Sequence, residues 1–591
     1  MELMYISNIR IKGYRNLKEV YLELNRLVIF IGENNSGKSN ILKALTLPFF
    51  NNEIGAINKN LGWDDLNNEL KKEYFDYLKL NLDKLISGEI EKDEFQKNVP
   101  YISVRVTFKP QPSDEFYVRK WNNSLESDDG LYQIEYKYMI ENSLQLLEHL
   151  KVILKDKSLE DIDTMKMNLL PIEMYKYSII IPLNNEPVSF NDLSYFKYDS
   201  LAAERDDFSH KNTQLGSKAL VSLLHNKLGN EQKIQVEASY GKFFDELKEI
   251  SNLEGIFNWQ ETSDIDNAKD FFDQIRLLPN MPSISALLNN VKLGVGDEYL
   301  YSQGLGYRNL IYLLVMMNSL EINKEVALNI LTIEEPEAHL CVSNERLLSS
   351  FINSTIERSN QVQVFVSTHS SEFLNKLELK NVTVVKEGKA FSLNTVVEED
   401  ELSYLAKKPN LDFLKFLFSK RSILVEGPSE EMLIKSYLAF QKNSLNDIEV
   451  ISLHKGFKNM LEIWLKTNEG TSHRIGIIRD FDNQPNAQQA HDEYNAHDNI
   501  LVTTTTEYTL EPEFVNTSSN YESLKKYFSE EHGWTEDETS TAEALSDKWR
   551  SSKTDTMLKF CQDFGTGHLK NVELPEHIDE VIKFLMNRSE S

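Results

Sequence analysis

The octapeptide Gly32-Glu33-Asn34-Asn35-Ser36-Gly37-Lys38-Ser39 directly follows the apolar run Leu27-Val28-Ile29-Phe30-Ile31. The run reads as a buried strand and Lys38 to Leu47 as the helix after it, so the glycine-rich turn has the strand-turn-helix setting that a phosphate-binding loop requires. A chain built this way is constrained to an α/β fold around a nucleotide. Backbone N–H groups of Gly32, Asn34, Asn35, Ser36 and Gly37 are expected to face phosphate oxygens. Lys38 is expected to reach the β and γ oxygens, and the Ser39 hydroxyl to be a Mg²⁺ ligand.

At 591 residues the chain exceeds what one core supports, so two or three domains are expected. Hydrophobic residues at 41% and charged residues at 26% match an ordinary globular protein rather than a disordered one. No apolar run approaches the about 18 residues of a membrane span. The N-terminus Met1-Glu2-Leu3-Met4-Tyr5 also lacks a basic region followed by an apolar core, so a cytoplasmic chain without membrane contact is expected. Cys341 and Cys561 fit neither a disulfide framework nor a zinc cluster, and are expected to be buried reduced thiols. The formal net charge of −28 argues against a surface coated for nonspecific phosphate binding. It leaves room for a nucleic-acid substrate, because acidic metal centres and local basic paths coexist with a negative total.

Before the loop, Ile6 to Leu17 alternates and Val20 to Leu24 is strand-like, which predicts an antiparallel pair. The order Ile11-Lys12-Gly13-Tyr14-Arg15-Asn16 and then Gly-Glu-Asn-Asn-Ser-Gly-Lys-Ser resembles the ATPase heads of the RecF and SMC class. That resemblance implies partner motifs far downstream. The apolar strand Ala327 to Ile333 ends in Glu334-Glu335-Pro336-Glu337 and looks like a Walker B. A carboxylate at the strand end can hold Mg²⁺ and the next can polarise the attacking water, so these roles fall to Glu334 and Glu335. The strand Val362 to Thr368 ends at His369, where such heads place a histidine on the γ-phosphate. Tyr301-Ser302-Gln303-Gly304-Leu305-Gly306 opens an apolar helix and resembles the signature loop, which assigns Ser302, Gly304 and Gly306 to the nucleotide of a second protomer. A homodimer or higher homo-oligomer through the heads is implied by the resemblance. The region between, about residues 51–285, reads as an insertion with helices at Leu66 to Leu85 and Val236 to Ile250, and strands at Tyr101 to Phe108 and Tyr177 to Ile181. Its expected uses are dimer or partner contacts.

Downstream, the strand Ser422 to Val425 delivers Glu426 to a glycine turn. A helix from about Glu430, a strand near Ile448 to Leu453, Gly456, a helix through Trp464 and the strand Ile475 to Ile478 then lead into Arg479-Asp480-Phe481-Asp482. Strands and helices alternate, with acidic residues at strand ends, where open α/β sheets place their active groups. The arrangement resembles a Toprim domain, a Rossmann-like α/β fold. Glu426, Asp480 and Asp482 form an oxygen-rich set suited to Mg²⁺ or Mn²⁺ and to phosphodiester cleavage.

An ABC/RecF-like P-loop ATPase domain with a helical insertion, followed by a Toprim domain, is similar to the organisation of the OLD (overcoming lysogenization defect) nucleases, which include anti-phage effectors. The expected extents are 1–395 for the ATPase domain, 396–419 for a linker and 420–591 for the Toprim domain. The resemblance implies a second metal position, carried onto Glu511 with Glu430. It also implies a catalytic lysine, for which Lys553 in Ser552-Lys553-Thr554-Asp555 is the nearest match and Lys548 and Lys559 lie close. The reading is an ATP-regulated, Mg²⁺- or Mn²⁺-dependent DNA endonuclease. A defence-system partner, protein or nucleic acid, including a reverse-transcriptase system, belongs to the same expectation. Two other readings stand beside it: a RecF-like DNA-binding repair ATPase with a Toprim scaffold, and, less favoured for want of a zinc motif, a primase.

Overall fold

The computed structural model describes residues 4–51, 59–124, 130–155, 157, 159–202, 215–251, 282–322, 326–359, 361–374, 377–398, 402, 413–441, 448–453, 457–481 and 485–586. Gly456, Asp482 and most of the expected linker lie outside them. The chain divides into two compact units, Met1–Phe30 with Gly37–Thr368 and Ile31–Ser36 with His369–Ser591.

In the first unit, β1 (Tyr5–Tyr14) and β2 (Leu17–Glu23) form the antiparallel pair that the alternation predicts, with Ile6, Ile9, Ile11, Val20 and Leu22 inside. The next strand, β3 (Leu27–Ile31), is buried along its whole length and enters α1 (Lys38–Thr46) through the phosphate loop. Further strands are β4 (Phe50–Asn51), β5 (Ile102–Lys109), β6 (Tyr132–Ile140), β7 (Tyr175–Ile180) and β8 (Phe196–Leu201), then the short hairpin β9 (Gly294–Val295) and β10 (Glu298–Tyr299). The helix α2 (Leu305–Ile322), β11 (Leu328–Glu334), α3 (Val342–Arg358) and β12 (Val362–Ser367) complete the unit.

Strands β2-β1-β5-β6-β7 make one antiparallel sheet. A second set, in the order β4-β8-β11-β12-β3, is parallel throughout. Predominantly apolar segments such as Leu328 to Ile333 and Val362 to Val366 are buried along their whole length, the polar Asn329, Thr332 and Gln363 included, and they occupy the middle of a parallel sheet. The segment 51–285 is therefore more than helices: it supplies β5, β6 and β7 to the antiparallel sheet and sets β8 directly beside β11, with Phe196 opposite Leu328. Cys341 is exposed at the N-cap of α3, not buried as expected, because it lies in the turn leaving the β11 loop.

In the second unit, β13 (Val382–Lys386) and β14 (Lys389–Ser392) form an antiparallel hairpin. The elements β15 (Arg421–Val425), α4 (Pro428–Phe440), β16 (Ile448–Ser452), α5 (Phe457–Asn468), β17 (Arg474–Arg479) and β18 (Ile500–Thr504) follow, then α6 (Leu510–Asn516), α7 (Lys553–Asp563) and α8 (Glu576–Met586). The sheet order is β16-β15-β17-β18, all parallel. Phe514, Phe528, Trp549 and Phe560 pack edge-on or stacked within the core beneath it. Burial at this core pushes the Cys561 thiol up to about 11, which leaves it protonated and unreactive at neutral pH. No helix among the described residues is long and apolar enough to cross a membrane.

His577 on α8 is 6% exposed, and burial pushes its pKa down to about 4 against an opposing pull from Glu513. Between that value and the about 6.5 of an unfolded histidine, the unfolded chain binds more protons, so this contribution is present above pH ~6.5 and lost as pH falls toward 4. Acidification from pH 7 to pH 5 is expected to remove about 2 kcal/mol of stability through this one group. Urea midpoints at the two pH values check it, and in His577→Gln the pH dependence should flatten by that amount.

Candidate functional site

The phosphate loop has the backbone of a nest: Ser36 N–H donates to Glu33 O at 3.2 Å, and Asn35 adopts a left-handed φ of 62°. Asn34 and Asn35 are exposed at its rim, while Ser36, Gly37 and Lys38 are buried, Lys38 only 6% exposed. The long-range result is at Ser39, whose hydroxyl donates to Glu334 Oε2 at 2.5 Å across 295 positions of sequence. A hydroxyl and a carboxylate oxygen brought together after a phosphate loop are the pair of protein ligands that a nucleotide-bound Mg²⁺ takes. The donor set therefore fits Mg²⁺ with ATP.

The residue after Glu334 is held in a strained shape. Glu335 has φ of 43°, and its N–H donates to Ser367 O at 2.9 Å, a bond from the end of β11 to the end of β12. Left-handed non-glycine residues cost about 1–3 kcal/mol and gather at functional sites. Two residues on, Glu337 accepts from Thr368 Oγ1 at 2.9 Å, a contact that no sequence motif announces. His369, the next residue, is exposed. The segment with Ser302 and Gly304 is also exposed, and Gly306 in the first turn of α2 lies against the loop after β11. A Cβ at Gly306 would stand 2.1 Å from His339 O, so only glycine permits this approach.

In the second unit the strand order reverses between β15 and β17, and ligands of open α/β sheets bind at the carboxyl ends of strands flanking such a reversal. Glu426 follows β15 and Asp480 follows β17. They meet: Asp480 N–H donates to Glu426 Oε1 at 3.2 Å. Glu430, in the first turn of α4, is 4% exposed, and Glu511, in the first turn of α6, is 0% exposed and accepts from Thr509 Oγ1 at 3.0 Å. No ready-made group of three or more metal-ligating side chains is formed among the described residues. Asp482, the third expected carboxylate, is outside them. Glu426, Asp480, Glu430 and Glu511 are all oxygen donors of the kind a hard divalent cation takes, and Glu430 and Glu511 are withdrawn from water.

Arg479, the last residue of β17, was not singled out by its sequence. It is 4% exposed and its Nε stands 4.0 Å from Glu426 Oε1. Its Nε and Nη1 have no hydrogen-bond partner among the described residues, so the guanidinium acts on the acidic site through its charge. Of the lysines, Lys548 is paired with Glu538 at 2.7 Å and Lys559 with Glu531 at 2.7 Å. Lys553 begins α7, and its side chain is outside the described set.

Known protein families match both halves of the chain. The AAA ATPase domain family matches residues 4–374, and the overcoming lysogenization defect protein-like TOPRIM domain matches residues 417–482. The chain belongs to the AAA ATPase domain family and carries an OLD-like TOPRIM domain. It is 25% identical over 446 residues to Endonuclease GajA of Bacillus cereus strain VD045, which covers 74% of this chain and 68% of that one. Endonuclease GajA of B. cereus strain HuB5-5 is 23% identical over 547 residues, covering 81% and 74%. Among solved structures, an Smc head bound to the C-winged helix domain of ScpA aligns over 66% of this chain and 100% of its own, at 12% identity and a TM-score of 0.31.

Proposed function

We propose that this chain is an OLD-family DNA endonuclease that uses a divalent metal at Glu426, Asp480 and Asp482 and is regulated by ATP held between two heads. The observation that carries the reading is the bond from Asp480 N–H to Glu426 Oε1 at the strand reversal of the Toprim sheet, with Glu430 buried in the first turn of α4 and Glu511 buried in the first turn of α6. Glu430 and Glu511 are the residues proposed for a second metal position. A bound divalent cation there would supply a water of lowered pKa and neutralise phosphate charge. The chain's own residues would hold that centre and set its charge, with Arg479 offsetting part of it. Lys553 is proposed to stabilise charge on the phosphate, a role for which Lys548 and Lys559 are less suited because each is already paired.

For ATP, Lys38, Ser39 and Glu334 would hold the triphosphate and its Mg²⁺, Glu335 would orient the attacking water, and His369 would contact the γ-phosphate. The exposed Ser302–Gly304 segment supports completion of the site by a second copy. Both named relatives are endonucleases, which supports the nuclease over a DNA-binding scaffold. A scaffold would also gain nothing from buried carboxylates. A role in anti-phage defence, beside a partner protein or nucleic acid, belongs to this reading and rests on the family. The test is incubation of supercoiled plasmid DNA with the purified chain in Mg²⁺ or Mn²⁺, with and without ATP. Nicking or linearisation is expected with metal and none with EDTA; cleavage that persists in EDTA contradicts the metal assignment.

A further inference from the structure

Lys386, the last residue of β13, is 8% exposed and takes part in none of the chemistry above. It lies between two contacts made by the first half of the phosphate loop. On one side, a Cβ at Gly32 would stand 2.2 Å from Val385 O, so loop and strand are in backbone contact. On the other, Gly388 N–H donates to Ser36 O at 2.8 Å. The ammonium itself is engaged elsewhere: Lys386 Nζ donates to Asn468 Oδ1 at 2.7 Å and lies 3.5 Å from His473 Nδ1. Burial followed by the charges of Lys386 and Lys420 pushes His473 down to about 4, so its ring is neutral and can accept. Burial lowers Lys386 as well, while Glu33 in the phosphate loop and Glu387 in the hairpin turn oppose that shift. The groups facing this cation are thus Glu33, Glu387, Asn468 and His473.

Asn468 and His473 are placed at the root of the nuclease sheet. Asn468 ends α5, is fully buried, and donates from Nδ2 to Leu417 O and Trp464 O at 3.3 and 3.0 Å. His473 directly precedes β17, whose first residue, Arg474, donates its N–H to Lys420 O at 2.9 Å at the start of β15. At the far ends of these two strands are Asp480 and Glu426. A strand of five or six residues is about 17–20 Å long and stiff, and close-packed interiors pass on displacements that loose ones absorb.

We propose that Lys386 is a positioning residue that couples nucleotide at the phosphate loop to the strands carrying Glu426 and Asp480. This rests on the ATP control stated in the proposed function. A triphosphate on the loop adds negative charge to the Glu33 side of the ammonium and competes with Asn468 and His473 for it. The two arrangements of Lys386 are then populated differently with and without nucleotide, which is the differential interaction that coupling between sites requires.

The experiment measures plasmid cleavage by the full chain across an ATP titration, together with ATP affinity, in wild type, Lys386→Met and Asn468→Ser. Lys386→Met keeps the aliphatic stem and removes the charge; Asn468→Ser removes the partner and keeps the lysine. In both, the ratio of cleavage rates with and without ATP is expected to collapse to within about twofold of unity, while ATP affinity and nucleotide-free cleavage stay within about threefold of wild type. A full ATP response in either folded variant overturns the coupling. So does a loss of ATP affinity above about tenfold in Lys386→Met, which would make Lys386 part of the nucleotide site. If wild-type cleavage ignores ATP, the ATP control in the proposed function fails first and this inference with it. If Lys386→Met does not fold, Asn468→Ser decides.

Discussion

Replacing Asp480 with asparagine is expected to lower DNA cleavage by about a thousandfold or more, because it removes a charged oxygen ligand from the centre while keeping the side chain's shape. The backbone bond that joins the two strand ends runs from Asp480 N–H to Glu426 Oε1 and does not involve the replaced group, so the local structure should survive. Removing one carboxylate also relieves repulsion with Glu426, so the melting temperature is expected to hold or rise. ATP hydrolysis should stay within about twofold, since Ser39, Glu334 and Glu335 belong to the other compact unit. Parallel measurement of plasmid cleavage, ATP turnover and thermal unfolding checks all three.

The second large effect is at Glu335. Glutamine there preserves size and the Glu335 N–H bond to Ser367 O, and removes the carboxylate that would accept a proton from the attacking water. General-base contributions are about 10²–10⁴-fold, so ATP turnover is expected to fall within that range while ATP binding is retained. Glu334→Gln should behave differently. Glu334 accepts the Ser39 hydroxyl at 2.5 Å, so its loss should weaken Mg²⁺-dependent nucleotide binding itself, which a titration with and without Mg²⁺ will show.

The sequence was most legible where an apolar run ends in a charged or glycine-rich turn. Strands β3, β11, β12, β15 and β17 each announce themselves that way, because a strand buried on both faces is rich in Val, Ile and Leu and leaves charged groups for where it exits the sheet. The neighbour relations were not legible. Nothing in Phe196 to Leu201 says that this short stretch pairs with the Walker B strand more than 120 residues later, and its mixed residues resemble many other segments. Arg479 and Lys386 were hidden for a related reason. A basic residue at a strand end is ordinarily solvated, and only the tertiary structure shows one 4% and the other 8% exposed beside acidic or polar partners. The left-handed Glu335 was equally silent, since glutamate carries no preference for that conformation.

One paired assay addresses the central claim that separate sites in this chain handle ATP and the phosphodiester bond. Wild type, Asp480→Asn and Glu335→Gln should be assayed in the same preparation for plasmid cleavage with Mn²⁺ and for ATP hydrolysis. Asp480→Asn should lose cleavage and keep hydrolysis, while Glu335→Gln should lose hydrolysis and keep the capacity to cut DNA in the absence of nucleotide. Cleavage that survives Asp480→Asn at near wild-type rate would contradict the claim.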